Sequence, residues 1–355
     1  MDPRIEKTAK LLIEHSTKVK KGDKVIIYGN YESKELTLEL YKQALLKGAY
    51  PKIHCSLPGE AYTYYKHAND DQLNRFPEVD WFEMQQADVT LFVGSPVNTR
   101  DLSSIPAERI AARRKVTKKI TDYRVNNTRW CLFDFPCNSL AQEADMSLNE
   151  LEDFVYGATL IDWEKQSKMQ DKLKKILDNG KEVQIIGEDT DLYLNIEGRT
   201  AIKCIGSHNM PDGEVFLGPV ETKTEGKISY SFPTIYGGRE VDGIKLEFKK
   251  GKVVKATAAK NEEFLKKMIA MDSGSCMLGE LGIGTNPNLD RNTKVILFDE
   301  KMGGTIHLAL GSAYKEGGGT NVSSLHWDMI KDLRKGGEVR VDGKTIQKNG
   351  KFTFL

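Results

Sequence analysis

Two rhythms of hydrophobic and polar positions divide this chain. In the first half, short apolar runs rich in β-branched residues alternate with stretches whose apolar side chains recur at helical spacing. Residues 4–20 carry Ile5, Ala9, Leu12 and Ile13 on one helical face. "DKVIIYG" (23–29) then reads as a buried strand ending at Gly29, and residues 32–49 as an amphipathic helix stopped by Gly48. The cycle repeats. Strands are expected at 51–57, 87–95 and 128–136, with helices over 59–76 and 106–125, the latter opening near Pro106. This alternation predicts an α/β fold, a doubly wound and mainly parallel sheet with helices on both faces. Helical spacing continues through 147–181.

The rhythm changes near residue 180. Residues 182–198 and 225–258 are short alternating segments broken by Gly and Asp turns, interrupted downstream by one helical pattern over 261–271. The chain closes with "GEVRVDGKTIQKNGKFTF" (337–354), a hairpin whose "VDG" and "KNG" mark turns. The expected organisation is an N-terminal α/β domain over residues 1–180 and a β-rich α+β domain over 181–355.

Charge and motifs exclude several functions. Lys and Arg number 52 against 51 Asp and Glu, so no global field favours nucleic acid or an anionic membrane. The basic stretch 108–119 reads as the solvated face of a helix. No apolar run approaches the roughly 20 residues needed to span a bilayer, and the N-terminus lacks the pattern of a secretion signal. Cys55, Cys131, Cys137, Cys204 and Cys276 are scattered and never form CxxC, so free thiols are expected rather than disulfides or structural zinc. Cys276 has no companion histidine at a recognisable spacing. "IYGNYES" has one glycine where a dinucleotide fingerprint needs three, and no GxxxxGK[ST] occurs.

Candidate chemistry gathers in the second half, where polar groups interrupt Gly-rich or apolar stretches at four places. These are "NMPDGEVFLGP" with Asp212 and Glu214, "GELGIGTNP" with Glu280, "DEKMGGTIHLALGSAY" with Glu300, His307 and Tyr314, and "LHWDM" with His326 and Asp328. His326 and Asp328 are two apart and share a face on an extended strand. That spacing also suits a plain imidazole–carboxylate hydrogen bond. Glu280 sits between glycines and apolar residues, as a partly buried acid or a surface-loop acid. Glu300 follows "KVILF", a β-like run, and is expected at a strand end with Asp299 pointing the other way. His307 in "TIHLALG" reads equally as a core histidine or a ligand. If the segments converge, four carboxylates share an apolar region with two neutral imidazoles, and bound cations would be needed to neutralise them. Two divalent ions would balance the four, with mixed oxygen and imidazole donors suiting zinc, cobalt or manganese.

The four segments, in this order, resemble the metal-binding segments of the M29 peptidases, the thermophilic-type metallo-aminopeptidases. The resemblance extends less specifically over the N-terminal half. It implies Glu214, Glu280, Glu300, His307, His326 and Asp328 as ligands of a two-metal centre (Zn, Co or Mg), with Glu280 bridging and Tyr314 as the active-site tyrosine. It further implies a cytoplasmic homodimer that removes N-terminal residues from peptides, with no nucleic-acid or membrane partner. The chain is shorter than typical members, and Glu300 and His307 stand two residues further apart than usual. Once the acids are ligands, Glu280 and Glu300 remain as alternatives for the general base. The rival readings are another two-metal hydrolase, an amidohydrolase or phosphatase, and a non-enzymatic α/β binding protein.

Overall fold

The computed structural model describes residues 2–355. The chain forms two compact units, one holding the chain up to Leu160 together with Gly206–Pro211, the other Ile161–Ile205 and Asp212–Leu355.

In the first unit, strands β1 (Lys24–Asn30), β2 (Tyr50–Ser56), β3 (Val89–Gly94) and β4 (Arg129–Asp134) are parallel in the order β2-β1-β3-β4, and the short strand Asn209–Met210 extends the sheet beside β4. Val25, Ile26, Ile27, Val89, Leu91 and Val93 are buried. Continuous apolar runs of this kind are what a parallel sheet covered on both faces requires. The first helix, Pro3–Leu11, starts where the Asp2 carboxylate accepts the Arg4 backbone N–H and proline occupies the first turn. Residues 59–76 form two helices, Glu60–His67 and Asp70–Asn74, because the Asn69–Gln72 capping box restarts the chain. The basic helix, Ala107–Asn127, fully buries no residue, as expected of a solvated element.

The helical pattern over 147–181 is also two helices, Leu148–Thr159 and Trp163–Asn179, the second capped by the Asp162 carboxylate. The expected change of style lay near residue 180, whereas the units divide at Leu160. Trp163–Asn179 buries Leu173 and Leu177 in the core of the second unit.

That unit contains two large antiparallel sheets and a two-stranded one, Thr234–Tyr236 with Arg239–Val241. The eight-stranded sheet takes in Glu182–Gly187, Thr190–Asn195, Thr224–Ser229, Lys245–Lys249, Lys252–Thr257 and the C-terminal strands Glu338–Val341, Lys344–Lys348 and Lys351–Phe352. The last three form a meander whose turns place Asp342–Gly343 and Asn349–Gly350 at positive φ (49°, 78°, 48° and 74°), the geometry of two-residue hairpin loops. The five-stranded sheet comprises β5 (Ile202–Cys204), β6 (Glu214–Leu217), β7 (Leu278–Gly284), β8 (Thr305–Gly311) and β9 (His326–Asp332), in the order β9-β8-β7-β6-β5. Val215, Leu217, Leu281, Ile283, Ile306, Leu308, Leu310, Trp327 and Met329 belong to one buried cluster with Val183, Ile185, Leu192 and Leu194. Each such side chain contributes about 1.5–3 kcal/mol of burial.

"KVILF" is not a strand. Ile296–Asp299 is a single helical turn, and Asp299 is buried, accepting from the Thr293 N–H and Oγ1 (both 2.7 Å) and Asn292 Nδ2 (2.6 Å). These hydrogen bonds tie the preceding loop down and override the β preference of the run. Among the described residues, no helix is long and apolar enough to cross a membrane.

Candidate metal centre

One face of the five-stranded sheet is the core face. The other collects the candidate residues, and register explains why. Gly284 pairs with Glu214, Gly282 with His307, Glu280 with Ala309, Ala309 with Asp328 and Gly311 with His326. Directly paired residues of antiparallel strands share a face, as do positions two apart. Glu214, Glu280, His307, His326 and Asp328 therefore project together, while Gly282, Gly284, Ala309 and Gly311 provide room between them. A β-bulge between Leu278 and Glu280 brings Glu280 into this row. The glycine at 282 is demanded by an imidazole: a Cβ there would lie 2.0 Å from His307 Cε1 and 2.2 Å from Nε2.

Both imidazoles are anchored in the same way. His307 Nδ1 is 3.0 Å from the Glu300 carbonyl and His326 Nδ1 is 2.8 Å from the Ser312 carbonyl. A carbonyl oxygen only accepts, so each Nδ1 carries a proton and each Nε2 is turned toward carboxylates. His307 Nε2 lies 3.1 Å from Glu280 Oε1 and 3.3 Å from Glu214 Oε2; His326 Nε2 lies 3.3 Å from Asp328 Oδ2 and 3.9 Å from Glu280 Oε2. A neutral Nε2 presents a lone pair to an oxygen lone pair at these distances. Such contacts hold only with a metal ion or a proton between ring and carboxylate. Glu214 Oε2 and Glu280 Oε2 are buried with no hydrogen-bond partner, a costly arrangement that a bound cation relieves. The donor set of carboxylate oxygens and imidazole nitrogens anchored at their far side fits a divalent transition metal.

Without metal, protons take the cation positions. Burial alone would lower the histidine pKa values, but the Glu280 contact and neighbouring acids push His307 up to about 10, and Asp328 does the same for His326, also to about 10. Burial pushes Glu214 up against the pull of Lys301, whereas His326 holds Asp328 low despite its burial. A folded pKa near 10 against an ordinary 6.5 gives stabilisation that is fully present below about pH 6.5 and lost as pH rises toward 10. The thermal midpoint of chelated protein should therefore fall across that window, and metal affinity should rise over it as metal displaces protons. A midpoint that is flat from pH 6.5 to 10 in chelated protein would contradict this electrostatic picture.

Glu300 and Lys301 follow the helical turn. Lys301 is fully buried, with Nζ 2.9 Å from Glu214 Oε1, in contact with Glu300 Oε1 and 3.8 Å from Asp212 Oδ1. The carboxylates hold its ammonium charged against its burial. The charge count made on the sequence omitted this cation. Its only sequence signal is adjacency to Glu300. Cys204 was missed too: it pairs with Glu214 across β5 and β6, and burial beside Asp212 and Glu214 pushes its thiol pKa well up, so it stays protonated. Metal-donor atoms lie within 4.8 Å of one another in three sets: Glu214, Glu280 and His307; Glu300, His307 and Asp328; and Cys204, Asp212 and Glu214. Tyr314 stands at the rim, 52% exposed, its ring edge-on to Phe216 (5.7 Å) and His326 (5.1 Å).

The sequence profile of the thermophilic metalloprotease family, M29, matches residues 1–352. The chain belongs to this family. Among its M29 relatives, Aminopeptidase 2 of Geobacillus stearothermophilus is 25% identical over 99% of this chain and 98% of its own length. Aminopeptidase T of Thermus thermophilus is 25% identical over 88% and 85%, and Aminopeptidase PepS of Streptococcus thermophilus is 27% identical over 92% and 91%. The solved structure of wild-type AmpT from Thermus thermophilus matches this M29 chain with a TM-score of 0.88 at 23% identity, covering 99% of both chains. A 2,5-dihydroxypyridine dioxygenase from Pseudomonas putida KT2440 matches with a TM-score of 0.64 at 14% identity, over 99% and 97%. A fold shared with a dioxygenase does not choose the chemistry. Family membership makes the chain a hydrolase of the metalloprotease type, and its site residues must supply the detail.

Proposed function

We propose that this chain is a metallo-aminopeptidase that hydrolyses the first peptide bond of substrates with a free N-terminus. The observation that carries this reading is the pair of histidines anchored through Nδ1, with both Nε2 atoms directed at buried, unpartnered carboxylate oxygens. Glu214, Glu280, Glu300, His307, His326 and Asp328 are the side chains that would hold divalent metal. The chemistry supplied by bound metal is acidification of water, from a pKa of about 15.7 toward about 7, and polarisation of the substrate carbonyl.

The protein groups divide the remaining work. The sequence left Glu280 and Glu300 open as general base. Lys301 engages Glu300, whereas Glu280 Oε2 has no hydrogen-bond partner, so Glu280 is assigned to take the proton from the attacking water and pass it to the departing amine. Partial burial and the carboxylates of Glu280 and Asp328 hold the Tyr314 proton above the ordinary phenol range, leaving a hydrogen-bond donor for the developing oxyanion. The surplus of acids suits the α-ammonium of a peptide N-terminus. A phosphoester would need a free basic group, and Lys301, the basic residue within the cluster, is committed to Glu214 and Glu300.

Tyr314→Phe should lower kcat on leucine-p-nitroanilide by about 10²–10³, the effect of removing one oxyanion donor, with metal content and thermal midpoint unchanged. A near-wild-type kcat would return Tyr314 to a packing role against Phe216.

A further inference from the structure

We propose that the Lys301 ammonium fills one cation position of the carboxylate cluster permanently, so that the centre takes a single divalent ion per chain. The inference rests on the metallopeptidase reading above and specifies its metal count.

The cluster has two ends. At one, Glu300, Glu214 Oε1 and Asp212 converge on Nζ, and Lys301 has no solvent exposure. At the other, His307 and His326 present Nε2 to Glu280, Asp328 and the second oxygen of Glu214. Glu214 thus spans both, one carboxylate oxygen on the ammonium and the other among the imidazoles. A second divalent ion drawing on Glu300 Oε1 and Glu214 Oε1 would compete with Lys301 for those oxygens, and one held by Glu300, His307 and Asp328 would need the same His307 nitrogen as an ion held by Glu214, Glu280 and His307. It would sit close to a fixed positive charge in a region of low dielectric, where repulsion is strong.

The Lys301 backbone is fixed, its N–H donating to the Phe298 carbonyl (3.2 Å) and its carbonyl accepting the Asn286 N–H (3.0 Å), and its side chain is fully buried.

Charge favours the same answer. With neutral imidazoles, five carboxylates (Asp212, Glu214, Glu280, Glu300 and Asp328), one ammonium and one divalent ion leave the pocket two charges negative. That surplus attracts a substrate α-ammonium. A second divalent ion would cancel it and remove the electrostatic preference for a free N-terminus.

The test is a count. Full-length protein is stripped with chelator, dialysed, reloaded with ZnCl₂ alone, and measured by calorimetric titration and elemental analysis. One tightly held zinc per chain is expected, and Lys301→Met should raise the number to two by vacating the position. Wild-type protein that holds two ions would overturn the proposal, as would a folded Lys301→Met protein that still holds one. The wild-type count decides the matter even if the variant does not fold. Hydrolysis with two ions bound would sink the Lys301 assignment alone. Protein that takes up no ion and hydrolyses nothing would sink both this proposal and the metallopeptidase reading beneath it.

Discussion

Glu280→Gln protein should remain folded and lose at least about 10²–10⁴ in kcat, the usual contribution of a positioned general base. The swap keeps size and hydrogen-bonding shape but removes the charge that faces His307 Nε2 at 3.1 Å and His326 Nε2 at 3.9 Å. Metal affinity should fall as well, because an amide is a weaker oxygen donor than a carboxylate for a divalent ion. The loss of negative charge also releases protons from the imidazoles, so the fall in thermal midpoint of chelated protein with pH should become shallower. Elemental analysis, steady-state kinetics and a melting curve on one preparation check all three. A kcat within tenfold of wild type at full metal loading would remove Glu280 from the chemistry.

The second large effect is expected where no functional group is touched. Gly282→Ala places a methyl 2.0 Å from His307 Cε1, far inside contact distance, in a strand buried at every position. The ring is held by the Glu300 carbonyl on one side and faces acids on the other, so it has nowhere to go without breaking its anchor. Overpacking of this kind costs about 1–3 kcal/mol, and disturbing the support of a ligand typically costs 10–100-fold in metal affinity. Both losses should appear together in denaturant unfolding and metal titration. Gly157→Ala is the matched control. Its added Cβ meets nothing within 4 Å, and it lies inside the helix Leu148–Thr159, so it should be neutral or slightly stabilising. If Gly282→Ala binds metal as tightly as wild type, the packing of His307 against β7 is not what fixes the ligand.

The parts of the fold that could be read in the sequence share a physical cause. The central strands β1 and β3 of the first unit are continuous apolar runs because both faces are covered, a pattern with few alternatives, whereas the edge strand β2 buries no residue. The His326–Asp328 pair was visible because strand geometry alone puts positions two apart on one face. The remaining convergence was not visible. Glu280 meets His307 only through the β7–β8 register and a bulge, which are long-range facts. Between glycines, Glu280 read equally as a partly buried or a surface-loop acid; the stretch is a strand, and Gly282 and Gly284 are there because His307 and the Met302 carbonyl lie where a Cβ would be. "KVILF" looked like a strand and is a helical turn, because Asp299 is drawn into the loop at Asn292 and Thr293. Asp162 was a readable helix cap, but uninterrupted helical spacing on both sides masked it. Lys301 gave no signal in the sequence beyond standing next to Glu300, because a lysine beside a glutamate is normally a solvated pair. Only its burial among three acids reveals a structural cation.

The most direct test of the central claim is leucine-p-nitroanilide hydrolysis measured on one preparation as isolated, after chelation, and after add-back of Zn²⁺ or Co²⁺, with bound metal counted at each stage. The account predicts turnover that disappears with the metal and returns in proportion to the metal restored. Full activity in metal-free protein, or no turnover at any metal loading, would contradict it and leave His307 and His326 as buried partners of their neighbouring acids.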